Sequence, residues 1–110
     1  MSALAAATED QARVFAALGD GTRLELVSRL TRTGDRSIAQ LKAGLPLTRQ
    51  AITKHLRVLE DANVVTSSRV GRESRFAIRT ETLETAQQYL ARASAQWDTV
   101  IERIRDSIEE

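Results

Sequence analysis

"TRQAITKHLRVLEDANVV", residues 48–65, is the stretch that decides the fold. On a helix, Ile52, Leu56 and Leu59 fall on one stripe, because positions three and four apart share a face. The opposite side carries Thr48, Arg49, Gln50, Thr53, Lys54 and Arg57, with no acid before Glu60. Solvated helix faces ordinarily mix both signs, so a face made of cations and hydrogen-bonding groups fits a polyanion. Thr48 is placed to cap the first turn, and Asn63 tolerates the left-handed conformation that commonly closes a helix.

Upstream, Ser37 caps a brief helix bearing Ile38, Leu41 and Leu45, and "GLP" at 44–46 makes a tight turn. Two helices joined by a three- or four-residue turn have helix-turn-helix spacing. Further back, Asp20 caps a helix with the apolar row Leu24, Val27 and Leu30, stopped at Gly34. Ala12, Phe15, Ala16 and Leu18 predict a short amphipathic helix from about Thr8, stopped by Gly19. Downstream, "VVTSSRV" and "ESRFAIR" flank Gly71 and Arg72, which predicts a two-stranded hairpin with a basic tip. From Thr80 the helical pattern returns: Leu83, Leu90, Trp97 and Ile104 recur every seven residues, with Ala86, Ala93 and Val100 in a second seam. Such a helix of roughly 28 residues, about 40 Å long, outruns so small a body and implies a partner helix.

The bulk numbers narrow the function. A chain of 110 residues with 42% hydrophobic and 28% charged residues is expected to form one globular domain over residues 1–110. It contains no cysteine, which removes disulfides, thiolate metal sites and thiol chemistry. No window approaches the roughly 18 apolar residues of a membrane span, and "MSALAAATED" lacks the basic start and apolar run of a signal peptide. A cytoplasmic protein that leaves membranes alone is expected. The net charge of +1 conceals an asymmetry: residues 36–79 hold nine Lys and Arg against three acids, a local +6, and the remainder carries −5. The middle third is therefore expected to face a polyanion.

Double-stranded DNA is the polyanion this pattern fits. The second helix of a helix-turn-helix enters the major groove with its first turns against base edges. Gln50 can pair bidentately with adenine, Thr53 can donate or accept, and Lys54 can reach guanine, while Thr48, Arg49 and Arg57 suit flanking phosphates. At the hairpin, Arg69, Arg72 and Arg75 can follow phosphates, or Arg72 can enter a minor groove.

"FAALGDGTRLELVSRL", "LTRQAITKHLRVLEDANVV" and "RVGRESRFAI", in that order, resemble the successive signatures of the ArsR/SmtB-type winged-helix repressors over about Val14 to Ile78. The resemblance implies a mostly α fold with a small β-hairpin: a winged helix-turn-helix of about five helices and a two-stranded wing. It further implies a homodimer built from the first and last helices, residues 8–18 and 80–108, around DNA-binding residues 36–79. Phe15, Leu83, Leu90, Ala93, Trp97, Val100 and Ile104 become its expected contacts, and repression at a palindromic operator its expected activity. The sequence departs from the family in having Gly21 where proline is frequent and Asn63 where glycine is usual. The cysteine pair that many relatives use for metal is missing from "SIAQLKAGL", and residues 81–110 hold no histidine, so no metal site of those kinds and no cofactor is expected.

Other residues have simpler readings. His55, the one histidine, is expected to make a structural hydrogen bond or a phosphate contact, since a single imidazole cannot chelate. Trp97 and Tyr89 are expected to pack at an interface rather than line an effector pocket. Asp98, Glu102, Asp106, Glu109 and Glu110 form an acidic end that suits solvent, with a hard cation as the alternative. No nucleophile has a base and orienting group, and the glycines fall singly, so an enzyme is not expected. The rival functions are a winged helix that docks acidic proteins and a repressor that senses metal through carboxylates. The effector, if any, is not identified by these residues.

Overall fold

The computed structural model describes residues 3–109, with side chains over 6–108. In chain order the elements are α1 (Ala3–Leu18), α2 (Gly21–Thr33), β1 (Arg36–Ser37), α3 (Ile38–Lys42), α4 (Arg49–Asp61), β2 (Val65–Val70), β3 (Glu73–Ile78) and α5 (Thr80–Glu109). Five helices and a small antiparallel sheet of order β1-β3-β2 make a winged helix-turn-helix.

Capping residues set the helix starts. The Asp20 carboxylate accepts the Arg23 backbone N–H at 3.0 Å, and Thr48 Oγ1 accepts that of Ala51 at 3.1 Å. Ser37 and Gln40 form a reciprocal box, with Ser37 Oγ accepting from the Gln40 N–H at 3.2 Å and Gln40 Oε1 from the Ser37 N–H at 2.9 Å. A side-chain cap of this kind typically contributes about 1 kcal/mol. Leu26, Leu30, Leu41, Ile52, Leu56, Leu59, Val64 and Val65 are fully buried where α2, α3, α4 and the sheet meet. Each such side chain contributes about 1.5–3 kcal/mol on burial.

The structure corrects several expectations. Helix α1 begins at Ala3 rather than Thr8, and Val14 and Ala17 are its buried residues, whereas Ala12 and Ala16 are exposed. In α2 the core face is Leu26, Val27 and Leu30, and Leu24 is 54% exposed. Steps of three residues fall about 60° short of a full turn, so the row Leu24, Val27, Leu30 winds off its own face. Helix α3 ends at Lys42, which leaves Leu45 outside it and a six-residue connection, residues 43–48, before α4. The sheet has a third strand, since β1 pairs Arg36 with Phe76 and Ser37 with Arg75. Two residues are too few to show strand periodicity.

Helix α5 has 30 residues, about 45 Å at 1.5 Å per residue, in a molecule extending 66 × 35 × 20 Å. Ala86 is buried and Leu83 half-buried against the core, and Tyr89 packs against Phe15 of α1 with ring centroids 5.9 Å apart. Beyond that point the body ends and the helix continues. None of the described helices is long and apolar enough to cross a membrane.

Candidate nucleic-acid interface

Helix α4 turns Ile52, Leu56 and Leu59 into the core, which forces the intervening residues outward. Arg49, Gln50, Thr53, Lys54 and Arg57 line one open depression on that outer face. Thr48 sits at its rim as the N-cap. The Thr53 hydroxyl donates to Arg49 O at 2.8 Å, which leaves its oxygen lone pairs able to accept. Among the described residues, Arg49, Gln50, Lys54 and Arg57 have no side-chain hydrogen bond or ion pair. Glu60, the acid nearest this face, accepts a hydrogen bond from Ser67 of β2 and is held toward the hairpin.

The hairpin projects from the body, with every residue from Thr66 to Glu73 exposed. Gly71 occupies φ 62 at its tip, where a β-carbon would be strained. Arg69 and Arg72 have no side-chain partner among the described residues. Arg75 differs. Its Nε lies 2.5 Å from Asp35 Oδ1 and its Nη1 lies 3.3 Å from Glu73 Oε2. The hydrogen bond to Asp35 is the main reason its already high pKa is raised further.

Three contacts that the sequence does not announce aim these elements. Arg29 of α2 donates from Nη1 to Leu41 O at 3.0 Å and to Ala43 O at 2.5 Å, and so closes the C-terminal end of α3 and the start of the connection to α4. Only its i,i+4 pairing with Glu25, at 3.1 Å, is visible in sequence spacing. Arg23 donates from Nε to Ala17 O at 2.7 Å, and its Nη1 lies 3.3 Å from His55 Nδ1. Arginine only donates, so in this contact Nδ1 is the acceptor. His55 thus makes a structural hydrogen bond from α4 to Arg23 of α2, which is itself bonded to the end of α1. Asp20 Oδ2 lies 3.8 Å from the same nitrogen. The Arg23 backbone N–H, and after it the charge of the Arg23 guanidinium, hold the Asp20 carboxyl below its ordinary value against the opposing effect of burial.

The expected contacts on the first and last helices fall into two groups. Phe15, Leu83 and Ala93 are half-buried, while Leu90, Trp97, Val100 and Ile104 are exposed, Trp97 by 66%. Ile101 and Ile108 extend the same stripe; a count by sevens passes over them, although both stand four residues after Trp97 and Ile104. Asp98, Glu102 and Asp106 are exposed, and the side chains of Glu109 and Glu110 lie outside the described residues. No group of three or more metal-capable side chains occurs among the described residues.

Comparison with known proteins gives one family. A protein-family profile described as a helix-turn-helix domain matches residues 18–68. The HTH-type transcriptional regulator YuzN of Bacillus subtilis strain 168 is 45% identical over 65 residues, covering 54% of this chain and 71% of the relative. An ArsR-like transcriptional regulator from Rhodococcus sp. RHA1 superposes with a TM-score of 0.76 at 39% identity, over 90% of this chain and 92% of that one. A homodimeric winged helix-turn-helix DNA-binding domain from Mycobacterium bovis, a possible ArsR-family regulator, gives 0.64 at 25% identity, over 94% and 93% of the two chains. With the cationic outer face of α4, the projecting hairpin and these likenesses together, the chain belongs to the ArsR family of winged helix-turn-helix, DNA-binding transcriptional regulators.

Proposed function

We propose that the protein is a homodimeric repressor that binds a palindromic operator without a cysteine or histidine metal site. The observation that carries this reading is the outer face of α4, where Arg49, Gln50, Lys54 and Arg57 stand exposed and unpaired among the described residues. Cations with internal carboxylate partners would have to surrender them to bind phosphate; these do not. Gln50, Thr53 and Lys54 read base edges in the major groove, and Thr48, Arg49 and Arg57 hold phosphates beside them. Arg69 and Arg72 carry the hairpin along the backbone.

Dimerisation follows from the exposed stripe of α5, which water alone would leave at a cost. The homodimeric M. bovis relative supports the same arrangement. Paired α5 helices, together with α1, set two copies of α4 about 34 Å apart, one turn of B-DNA. Repression comes from occupying sequence that polymerase needs. The signal that lifts it is a small molecule, or the protein regulates its own promoter without one.

Duplex binding measured against salt is the test. The logarithm of the binding constant should fall linearly with that of salt concentration, by about 0.9 per phosphate neutralised. Arg72→Ala should weaken binding to every duplex and make the slope shallower by about that increment. Indifference to duplex DNA at low salt, with retention of an acidic protein instead, would replace this function with protein docking.

A further inference from the structure

We propose that Asp35, an acid beside a DNA-binding hairpin, strengthens DNA binding by bracing that hairpin through Arg75. The inference rests on the operator-binding reading above. By charge alone the expectation is the reverse, since an acid near phosphate repels it and its removal should tighten binding.

The geometry sets positioning against repulsion. Residues 66–73 contribute nothing to the core, and an isolated two-stranded hairpin is marginal in water. The base of the wing is held by buried Phe76 and by the pairing of β1 with β3. At that same level, where Ser67 stands opposite Phe76 and Arg75 opposite Ser37 and Ser68, the last ties before the free tip are the bond from Ser67 to Glu60 and the guanidinium of Arg75. Arg75 reaches Asp35 twice, through Nε to the carboxylate at 2.5 Å and through Nη2 to the backbone carbonyl at 3.5 Å. Asp35 offers a fixed anchor. The preceding residue, Gly34, closes α2 at φ 76 with its N–H on Leu30 O at 2.9 Å, and the following residue, Arg36, pairs with Phe76 in the sheet.

The same guanidinium collects a second acid. Nη1 of Arg75 lies 3.3 Å from Glu73, the residue next to Arg72. Glu73 is thereby held along β3, while Arg69 and Arg72 keep no carboxylate partner among the described residues. Asp35 positions Arg75, Arg75 positions the tip and restrains Glu73, and the tip presents two free arginines. Asp35 and Arg75 are positioning residues, and a preorganised tip loses less freedom on binding.

The experiment is fluorescence anisotropy with an operator duplex, using wild type, Asp35→Ala, Asp35→Glu and Arg69→Ala/Arg72→Ala with and without Asp35→Ala. Thermal melts accompany each to confirm folding. Asp35→Ala should weaken binding about two- to fivefold, the range of one partly exposed ion pair, despite its loss of one negative charge. Asp35→Glu should recover part of the loss, and Asp35→Ala should add nothing once both tip arginines are absent. Equal or tighter binding by folded Asp35→Ala would overturn the brace, as would an undiminished effect without the tip arginines. Failure of wild type to bind duplex would instead remove the operator reading beneath it.

Discussion

Helices α4 and α5 each leave one face uncovered, and the two faces have opposite chemistry. On α4 the uncovered residues are Arg49, Gln50, Lys54 and Arg57; on α5 they are Leu90, Trp97, Val100, Ile101, Ile104 and Ile108. Water solvates the first face well, so that face can stand empty until a polyanion arrives. It solvates the second poorly, with about 25 cal/mol at stake for each Å² of apolar surface. The first therefore suits a reversible partner whose hold weakens with salt, and the second a permanent partner largely indifferent to it.

The largest expected effect comes from charging the apolar face. Trp97→Glu should yield monomers by light scattering where wild type is dimeric. Its operator affinity should fall by a factor on the order of 100 or more, because the two half-sites are no longer engaged by one linked molecule. A monomer that binds the operator at wild-type strength would break the division of labour between the helices.

A smaller change on the other face sharpens it. Gln50→Ala should cost about 1–3 kcal/mol on the specific site and flatten base preference, with dimerisation untouched. Unchanged preference in a binding selection would move the base-reading role to other residues on α4.

The smallest effect concerns a charge that is used internally. Because the Asp20 carboxyl is held below its ordinary value of 3.8, chiefly by the Arg23 backbone N–H, folding favours the ionised form. Its contribution is present above 3.8 and is lost as pH falls through the lowered folded value. Asp20→Asn keeps a good N-cap, so it should melt only slightly below wild type at neutral pH, with the gap closing in acid. A gap that stays constant in thermal melts down to the acid limb would show that the ionised carboxylate contributes nothing.

The fold was legible in sequence wherever one local rule acted alone. Ile52, Leu56 and Leu59 advance by four and three residues, Thr48 caps, and Asn63 closes at φ 64, so α4 could be drawn from neighbours along the chain. Helix α2 was misread at Leu24 because three apolar residues at equal steps of three look like a stripe and are not one. The third strand was invisible because β1 has two residues and exists only through its pairing with β3. In the candidate site, the outward residues of α4 follow from its inward ones. The partners of Arg75 do not: Asp35 lies 40 positions away in sequence. Likewise Arg23 and His55 are 32 apart, and no periodicity connects them. Sequence gives the spacing of a face, whereas the partners that occupy a charge are fixed only when distant segments meet.

The junction after α4 has a consequence of its own. Asn63 turns the chain at φ 64 between buried Ala62 and Val64, with Val64 N–H bonded to Leu59 O and Arg79 N–H bonded to Val64 O, each at 2.9 Å. Helix α4 and the hairpin thus leave a single elbow, tied by both hydrogen bonds. In the dimer we propose, an inducing signal has little purchase on the angle between them, and release from DNA comes from altering the span between two grips.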